Sequence, residues 1–296
     1  MPDRATLIAF VSFVILGGVN FVAVRFSNRE LAPMFGAGLR FSAAALILTA
    51  VFVLRRQVVP RAKALVGVLL YGVLSFFVAY AFAYYALTAL PAGIGSVIFS
   101  SMPLFVVFLA HLHSLERFRM RALAGAIVTL LGISILSDPF GAASVPLLPL
   151  LSMVASAIAA AEGTVVAKMF PPVKPLVANA IAMAAGGALL LGLSAALGET
   201  WALPALEETR LAVGYLVLAG SALMFALFIF VIHRWTAVAA SYMAALLPVT
   251  AVIAAAIMLG EPITLTMVLG GLVVLAGVYI GALAPARAIE PAPVVG

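Results

Sequence analysis

Apolar residues fall into ten long runs along the chain, and short polar segments separate them. The runs lie at 5–24, 33–54, 64–87, 92–112, 120–137, 147–167, 175–197, 211–232, 236–259 and 263–284. A helix of about 20 apolar residues crosses the hydrocarbon core of a bilayer. The pattern therefore predicts an all-α integral membrane protein with ten transmembrane helices. No clear small-residue cleavage site follows the first run, which we interpret as a membrane helix rather than a signal peptide.

Composition supports this interpretation and narrows the chemistry. Hydrophobic residues make up 66% of the 296 positions and charged residues 9%, whereas soluble domains carry about 25% charged residues. The sequence contains no cysteine, which excludes disulfides and thiol catalysis. It also has no metal-ligand cluster, phosphate-binding loop or clustered catalytic set. We therefore predict neither a cofactor nor a metal site, and we rank an intramembrane enzyme acting on lipids well below a transporter.

The basic residues lie mainly on one side of the predicted topology. With the N-terminus inside, the inner segments hold twelve Lys and Arg residues, and the outer segments hold only Arg25, Arg29 and Arg210. This bias follows the positive-inside rule and places both termini in the cytoplasm. The net charge of +6 is thus a topology signal, and we expect a bilayer rather than nucleic acid as the partner. A bacterial cytoplasmic (inner) membrane is the expected location.

The second half of the chain repeats features of the first half at one constant offset in sequence. The matching pairs are Ser96 and Ser241, Pro103 and Pro248, Glu116 and Glu261, Gly125 and Gly270, and Gly132 and Gly277. The segment after Glu116, RFRMR, is basic, whereas PITLTM after Glu261 is not. Because each unit has five runs, the second copy must enter the membrane inverted. The sequence predicts two inverted five-helix repeats, 1–139 and 140–296.

Two prolines interrupt apolar runs at equivalent places. A proline inside a helix removes a backbone hydrogen bond, and its recurrence as Pro103 and Pro248 predicts hinges in the fourth and ninth runs. The alternative is that proline is simply common in membrane helices. Glu116 and Glu261 each close such a run, and we expect them to pair with arginine or to cap the next helix.

Three stretches carry a resemblance to a known family. These are GGVNFVAVRF in the first run, RFSAAALIL in the second, and the duplicated Pro-x12-Glu-x8-Gly-x6-Gly pattern. Over essentially its whole length, the chain resembles the drug/metabolite transporter superfamily and its ten-helix EamA-type exporters, most closely the aromatic amino-acid exporters. The resemblance implies alternating access, with a pathway between runs 1, 3, 4, 6, 8 and 9. It also implies that runs 5 and 10 brace the outside, where Gly125, Gly132, Gly277 and Gly281 would permit close packing.

A few polar and aromatic residues in the runs are candidates for substrate binding. They are Asn20, Phe76, Tyr80, Tyr84, Ser96, Phe99, Glu162, Ser241 and Tyr242. Phe76, Tyr80 and Tyr84 are spaced by four and share one helix face, which predicts a mostly apolar cavity suited to aromatic or apolar side chains. Asn20 offers both a donor and an acceptor, as a zwitterion requires. For each residue, ordinary helix packing is the alternative interpretation.

Glu162 is a carboxylate within the sixth run, shortly before Lys168. We consider two roles for it, a proton-coupling or ammonium-binding group and a structural partner of Lys168 or Arg234. Asn20 stands at nearly the equivalent place, shortly before Arg25. Arg40 is expected to snorkel or pair near the outer face, and contact with a substrate carboxylate is its alternative role.

These observations predict an exporter of amino acids, aromatic or apolar, and related small metabolites, which works by alternating access without covalent chemistry. The alternative is a proton-coupled exporter of drugs or other metabolites that uses Glu162 as the coupling group. Both hypotheses require a small-molecule substrate and a lipid bilayer.

Overall fold

The structure is a computed structural model that describes residues 4–115, 120–136, 146–235 and 237–280. All regular secondary structure in these residues is helical. For some residues in these helices, Ser241 and Tyr242 among them, only the backbone is described.

The first half of the chain forms seven α-helical segments. They are α1 (Arg4–Ser27), α2 (Pro33–Leu54), α3 (Ala62–Gly72), α4 (Ala79–Ala86), α5 (Ala92–Phe99), α6 (Met102–Leu112) and α7 (Met120–Leu136). A π-helical segment, Val73–Val78, joins α3 to α4. These two helices and the π turn therefore form one continuous rod over 62–86.

The second half also forms seven α-helical segments. They are α8 (Leu147–Met169), α9 (Pro175–Ala196), α10 (Glu207–Val217), α11 (Met224–Ile232), α12 (Ala237–Ala245), α13 (Leu247–Leu259) and α14 (Leu265–Val278). A second π-helical segment, Leu218–Leu223, joins α10 to α11.

Seven of the ten predicted spans are confirmed as helices long and apolar enough to cross a membrane. They are α1, α2, the rod over 62–86, the α5–α6 pair, α8, α9 and the rod over 207–232. The other three predicted spans correspond, within the described residues, to shorter helices at Met120–Leu136, Met243–Leu259 and Leu265–Gly277. An all-helical membrane protein is thus confirmed, and ten crossings stay a prediction.

Irregularities of the helices recur at the same offset as the sequence repeat. The two π-helical segments begin at Val73 and Leu218, which are as far apart in sequence as Pro103 and Pro248. The starts of α5 and α12, of α6 and α13, and of α7 and α14 share this spacing. Neither π segment contains proline, so this recurrence is independent of the proline pattern. The duplication visible in the sequence therefore extends to local departures from α-helical winding.

The two repeated prolines lie in the first turn of a helix rather than within a continuous one. Pro103 is in the first turn of α6 and Pro248 in the first turn of α13. The first turn has no intrahelical partner for its N–H groups, so a proline there sacrifices no hydrogen bond. Each proline marks a break between two short helices. Their role as hinges stays a prediction.

Glycines bring α7 and α14 into backbone contact. A Cβ atom on Gly132 would lie 2.7 Å from the Val274 nitrogen, and one on Gly277 would lie 2.6 Å from the Thr129 nitrogen. The two contacts are reciprocal, since each helix presents a glycine to the backbone of the other. Small residues allow such close approach between membrane helices. Gly281 lies outside the described residues.

Two basic side chains bind the C-terminal carbonyl groups of neighbouring helices in equivalent ways. Arg25 Nη1 donates to the Leu87 carbonyl oxygen at 3.2 Å, and Lys168 Nζ donates to the Ile232 carbonyl oxygen at 3.0 Å. Leu87 and Ile232 are counterparts at the offset of the repeat. Both cations thereby satisfy carbonyl groups at a helix C-terminus, where the helix dipole is negative.

Glu261 caps a helix in the other half of the chain. Its carboxylate accepts the N–H groups of Ala92 at 3.0 Å and Gly93 at 3.3 Å, in the first turn of α5. The Arg25 side chain lies 3.9 Å away. The expected pairing with arginine is therefore present, but the helix that Glu261 caps is α5 and not the next helix in the chain, α14. Glu116 lies outside the described residues.

Candidate functional site

A cavity of about 90 Å³ lies between helices of the two halves. Its wall is mainly apolar and includes the aromatic side chains of Phe13, Phe21, Tyr71, Tyr80, Tyr84, Phe99, Phe225 and Phe228. A few polar side chains interrupt this wall, namely Asn20, Arg40, Ser75, Ser156 and Thr164. Apolar walls with a small number of polar groups are typical of small-molecule sites. We refer to this space as the central cavity.

Four of the nine candidate residues line the central cavity. Tyr80 and Tyr84 project from one face of α4, with ring centroids 6.3 Å apart. Phe99 ends α5 and meets the Phe21 ring edge-on at 6.0 Å. Asn20 reaches the cavity from α1. Spacing by four residues placed the two tyrosines on one face, because residues i and i+4 are neighbours on a helix.

Two further candidates, Phe76 and Ser96, do not line the central cavity. Phe76 is buried behind the wall, with its ring 4.7 Å from that of Phe225 and 5.1 Å from that of Phe41. Ser96 Oγ donates to the Gly93 carbonyl oxygen at 2.6 Å, which is a bond within its own helix. Both residues support the structure around the cavity without lining it. The side chains of Ser241 and Tyr242 lie outside the description.

Glu162 lies on a different side of α8 from the central cavity. It opens on a lateral pocket lined by Leu74, Val78, Leu109, Leu112, His113, Ala155, Ile158 and Ala159. Its Oε1 atom lies 2.7 Å from His113 Nε2. Lys168, one of the two expected partners, instead donates to the carbonyl oxygens of Ile232 and Trp235. The structure therefore brings Glu162 together with His113 and separates it from the other candidates.

Gly163, not Glu162, is the structural counterpart of Asn20. When Arg25 and Lys168, in the last turns of α1 and α8, are aligned, Asn20 falls opposite Gly163. Asn20 contacts Gly220 in the second π segment, and a Cβ atom on Gly163 would collide with Ser75 in the first. Asn20 and Glu162 are therefore near-equivalents that differ by a single position, which on a helix is about 100° of rotation.

Arg40 is the residue that sequence reasoning placed least well. Its side chain is 0% exposed, so the expectation that it snorkels to the outer face is wrong. Arg40 Nε donates to Ser221 Oγ and Nη2 donates to the Gly220 carbonyl oxygen, each at 2.7 Å. The guanidinium carbon also lies 5.0 Å from the centre of the Tyr80 ring, within the range of cation–π attraction.

The Gly220 carbonyl organises the polar end of the central cavity. It accepts from Arg40 Nη2 and also from Asn20 Nδ2, the latter at 3.2 Å. Gly220 and Ser221 lie in the second π segment, where wide turns leave carbonyls available to side chains and often mark functional sites. The apolar segment LAGSAL contains no helix breaker other than glycine, and its Gly-Ser pair was the one available signal.

Comparisons with known proteins agree with this architecture. The model of the EamA-like transporter family matches the chain twice, over residues 4–138 and 147–282. The uncharacterised inner membrane transporter YedA of Escherichia coli K12 is 30% identical over 82% of this chain and 79% of its own length. A probable amino-acid metabolite efflux pump of the same organism is 26% identical over 90% of this chain and 91% of its own.

Two further comparisons concern length and fold. An uncharacterised transporter of Archaeoglobus fulgidus is 28% identical over 89% of this chain and 93% of its own length. One crystal structure, 20% identical, superposes with a TM-score of 0.72 and covers 96% of this chain and 99% of the other. The fold is thus shared along nearly the full length of both chains.

Proposed function

Because this chain belongs to the EamA-like transporter family and is a transporter rather than an enzyme, we propose that it exports aromatic or apolar amino acids and related small metabolites. The observation that carries the proposal is the central cavity, whose aromatic wall surrounds the polar groups of Asn20 and Arg40. The aromatic wall suits an apolar side chain, and the polar groups suit a charged head. The relative named as a probable amino-acid metabolite efflux pump supports the same substrate class.

We also propose that the chain crosses the membrane ten times, as two inverted five-helix repeats over 1–139 and 140–296. The recurring π segments, the reciprocal glycine contacts of α7 and α14, and the equivalent bonds of Arg25 and Lys168 support this arrangement. An even number of crossings leaves both termini on the same side, and the distribution of basic residues makes that side cytoplasmic.

Alternating access follows from this arrangement. Inverted repeats around a midplane site can exchange conformations, so that the site opens first to one side and then to the other. Residues from both halves line the cavity, for example Tyr80 from α4 and Phe225 from α11. The helix breaks before Pro103 and Pro248 supply two equivalent places where such a movement can bend the chain.

Counterflow in proteoliposomes tests the proposed function. Vesicles loaded with unlabelled phenylalanine or leucine should accumulate the labelled amino acid transiently, and the label should be recovered chemically unchanged. Protein-free vesicles of the same lipids are the control. If folded, reconstituted protein exchanges no member of an amino-acid panel, the amino-acid proposal is wrong. If the label is chemically converted, the protein is an enzyme.

One observation favours a second candidate function, proton-coupled export. Glu162 and His113 are two titratable side chains in direct contact, 23% and 30% exposed, outside the central cavity. A carboxylate within a membrane helix is costly to insert and commonly serves proton or ion transfer. On this alternative, Glu162 is the coupling group and the substrates extend to drugs or other metabolites.

A further inference from the structure

Arg40 is a buried cation that forms no ion pair with a carboxylate in the described part of the chain. A guanidinium stays protonated in proteins, and this one is fully buried in α2. None of the ion pairs among the described residues includes Arg40. Two of its nitrogens donate to neutral acceptors, while Nη1 has no hydrogen-bond partner among the residues that the structure describes. A buried charge is strongly stabilised when an opposite charge joins it.

Asn20 presents the complementary unpaired atom. Its Nδ2 donates to the Gly220 carbonyl oxygen and lies 3.1 Å from Met224 Sδ. A carbonyl only accepts, so this bond fixes the amide nitrogen of Asn20 at the Gly220 carbonyl oxygen. The amide oxygen lies beside the Cα atom of Gly220, where an added Cβ atom would collide with it. That oxygen, Oδ1, is buried and has no partner within the described residues.

The free donor and the free acceptor lie at the same end of the central cavity. Arg40 and Asn20 both line the cavity and both donate to the same Gly220 oxygen, at 2.7 Å and 3.2 Å. A carboxylate matches a guanidinium, because charge-assisted hydrogen bonds of this type are short and strong. An ammonium group matches an amide oxygen. The pair therefore complements a carboxylate and an amino group carried on one carbon.

We propose that Arg40 binds the carboxylate and Asn20 the amino group of the transported molecule, while the aromatic wall receives its side chain. This inference rests on the proposed function and adds the two residues that set specificity. It predicts selection for an intact α-amino acid over analogues that lack either charged group.

The second half of the chain offers no equivalent pair. When the first residues of α2 and α9, Pro33 and Pro175, are aligned, Ala182 falls opposite Arg40. Gly163 is the counterpart of Asn20, and neither Ala182 nor Gly163 has a polar side chain. Although the two halves are duplicated, only α1 and α2 of the first half supply the side chains that recognise the charged groups.

Competition against counterflow of labelled phenylalanine tests the pair in the unmodified protein. The vesicles contain phosphatidylethanolamine and phosphatidylglycerol, and the competitors are phenylalanine, phenylpropionate and phenethylamine. Phenylpropionate lacks the amino group, and phenethylamine lacks the carboxylate. Each analogue should compete at least about tenfold more weakly than phenylalanine. A hydrogen bond to a charged group is lost, and Arg40 or Asn20 is left unpaired. If either analogue competes as well as phenylalanine, the assignment is wrong.

Substitutions then assign each group to its residue. Arg40→Gln should remove the advantage of phenylalanine over phenethylamine, and Asn20→Leu should remove its advantage over phenylpropionate. Arg29→Gln is the matched control, because Arg29 pairs with Glu208 at the surface and should keep both preferences. If Arg40→Gln weakens competition by all three compounds to the same extent, Arg40 has a structural role and does not bind the carboxylate. If a variant does not fold, the order in which the three compounds compete in the unmodified protein still tests whether both charged groups are recognised.

This design separates the two proposals. Absence of counterflow for every member of the amino-acid panel in the unmodified protein would overturn the proposed amino-acid function, and this inference with it. Counterflow that ignores the charged groups would overturn only the roles of Arg40 and Asn20.

Discussion

Glu162 Oε1 lies 2.7 Å from His113 Nε2, and this contact joins α8 to the end of α6 outside the central cavity. The second carboxylate oxygen of Glu162 has no partner within the described residues. If Glu162 is the coupling group, its proton would bind outside the central cavity, and the carboxylate would not contact a molecule in that cavity. Substrate binding and proton binding can then be tested separately.

Glu162→Gln should abolish transport driven by a pH gradient while sparing counterflow, if Glu162 carries protons. The substitution removes the titratable group but leaves the cavity wall unchanged. His113→Gln is the matched control, because it removes the partner and retains the carboxylate. Uptake into vesicles with and without an imposed pH gradient measures both properties. An unchanged pH dependence in Glu162→Gln would return the residue to a structural role.

Pro103→Ala and Pro248→Ala should shift the inward–outward equilibrium in opposite directions and slow turnover. Alanine restores a backbone donor and makes a continuous helix across the break less costly. The two prolines occupy equivalent places in the two halves, so each should serve mainly one gate. Distances between spin labels at the two mouths would report the shift. A shift of both variants in the same direction, or a normal rate, would refute the hinge hypothesis.

Gly132→Ala and Gly277→Ala should each destabilise the contact between α7 and α14. The added methyl would meet backbone atoms that cannot rotate away, at 2.7 Å and 2.6 Å, and such overpacking costs about 1–3 kcal/mol. Gly192→Ala in α9 is the control, since nothing lies within 4 Å of its added methyl. Thermal unfolding in detergent should show a lower midpoint for the first two variants only. Equal midpoints for all three would show that this contact is not close-packed.

Reporter fusions after residues 58, 118 and 290 should be cytoplasmic, and fusions after residues 141 and 203 should be external. This pattern follows from ten crossings with the basic segments inside. Alkaline phosphatase and a fluorescent protein give complementary readouts at each site. Reversal at both 118 and 203 would contradict the inverted-repeat arrangement.

His233 should make the protein less stable in mild acid. Burial lowers the pKa of this imidazole below its ordinary value of 6.5, and the positive charges of Lys168 and Arg234 lower it further. The unfolded chain then binds a proton that the folded chain does not, so stability falls as pH drops below about 6.5. His233→Gln should reduce the loss of the unfolding midpoint between pH 7.5 and pH 5.5. A loss equal to that of the unmodified protein would exclude this contribution.

The sequence was most informative about helix limits. The predicted run 33–54 coincides with α2, and the run 92–112 coincides with the α5–α6 pair. Bilayer thickness sets the length of an apolar helix, so hydropathy alone locates its ends. The π segments escaped prediction because they are mostly apolar and contain no proline, and the Gly-Ser pair of the second segment was the one compositional signal of a wide turn.

The sequence predicted how deep in the membrane the candidate residues lie, but not which way their side chains face. Counting residues placed Glu162 and Asn20 at similar depths, yet an offset of a single position turned Glu162 toward α6 and away from the cavity. Arg40 was misplaced for a related reason. Its position in α2 suggested the outer face, but its acceptors at Gly220 and Ser221 lie in the other half of the chain. Their positions depend on tertiary packing, which hydropathy does not report.

The π segment at Leu218–Leu223 has a consequence for how the cavity can change shape. A π turn closes through i→i+5 bonds and so contains one residue more than an α turn. If this segment returned to α winding, the part of the rod beyond it would rotate by about 100° around its own axis. Met224, Phe225 and Phe228, which line the cavity, would turn with it, and the Gly220 oxygen would be reclaimed by its own helix. Rewinding one turn would thus remove these side chains from the cavity wall and withdraw the Gly220 oxygen from Arg40 and Asn20. Neither half of the molecule would have to move as a whole.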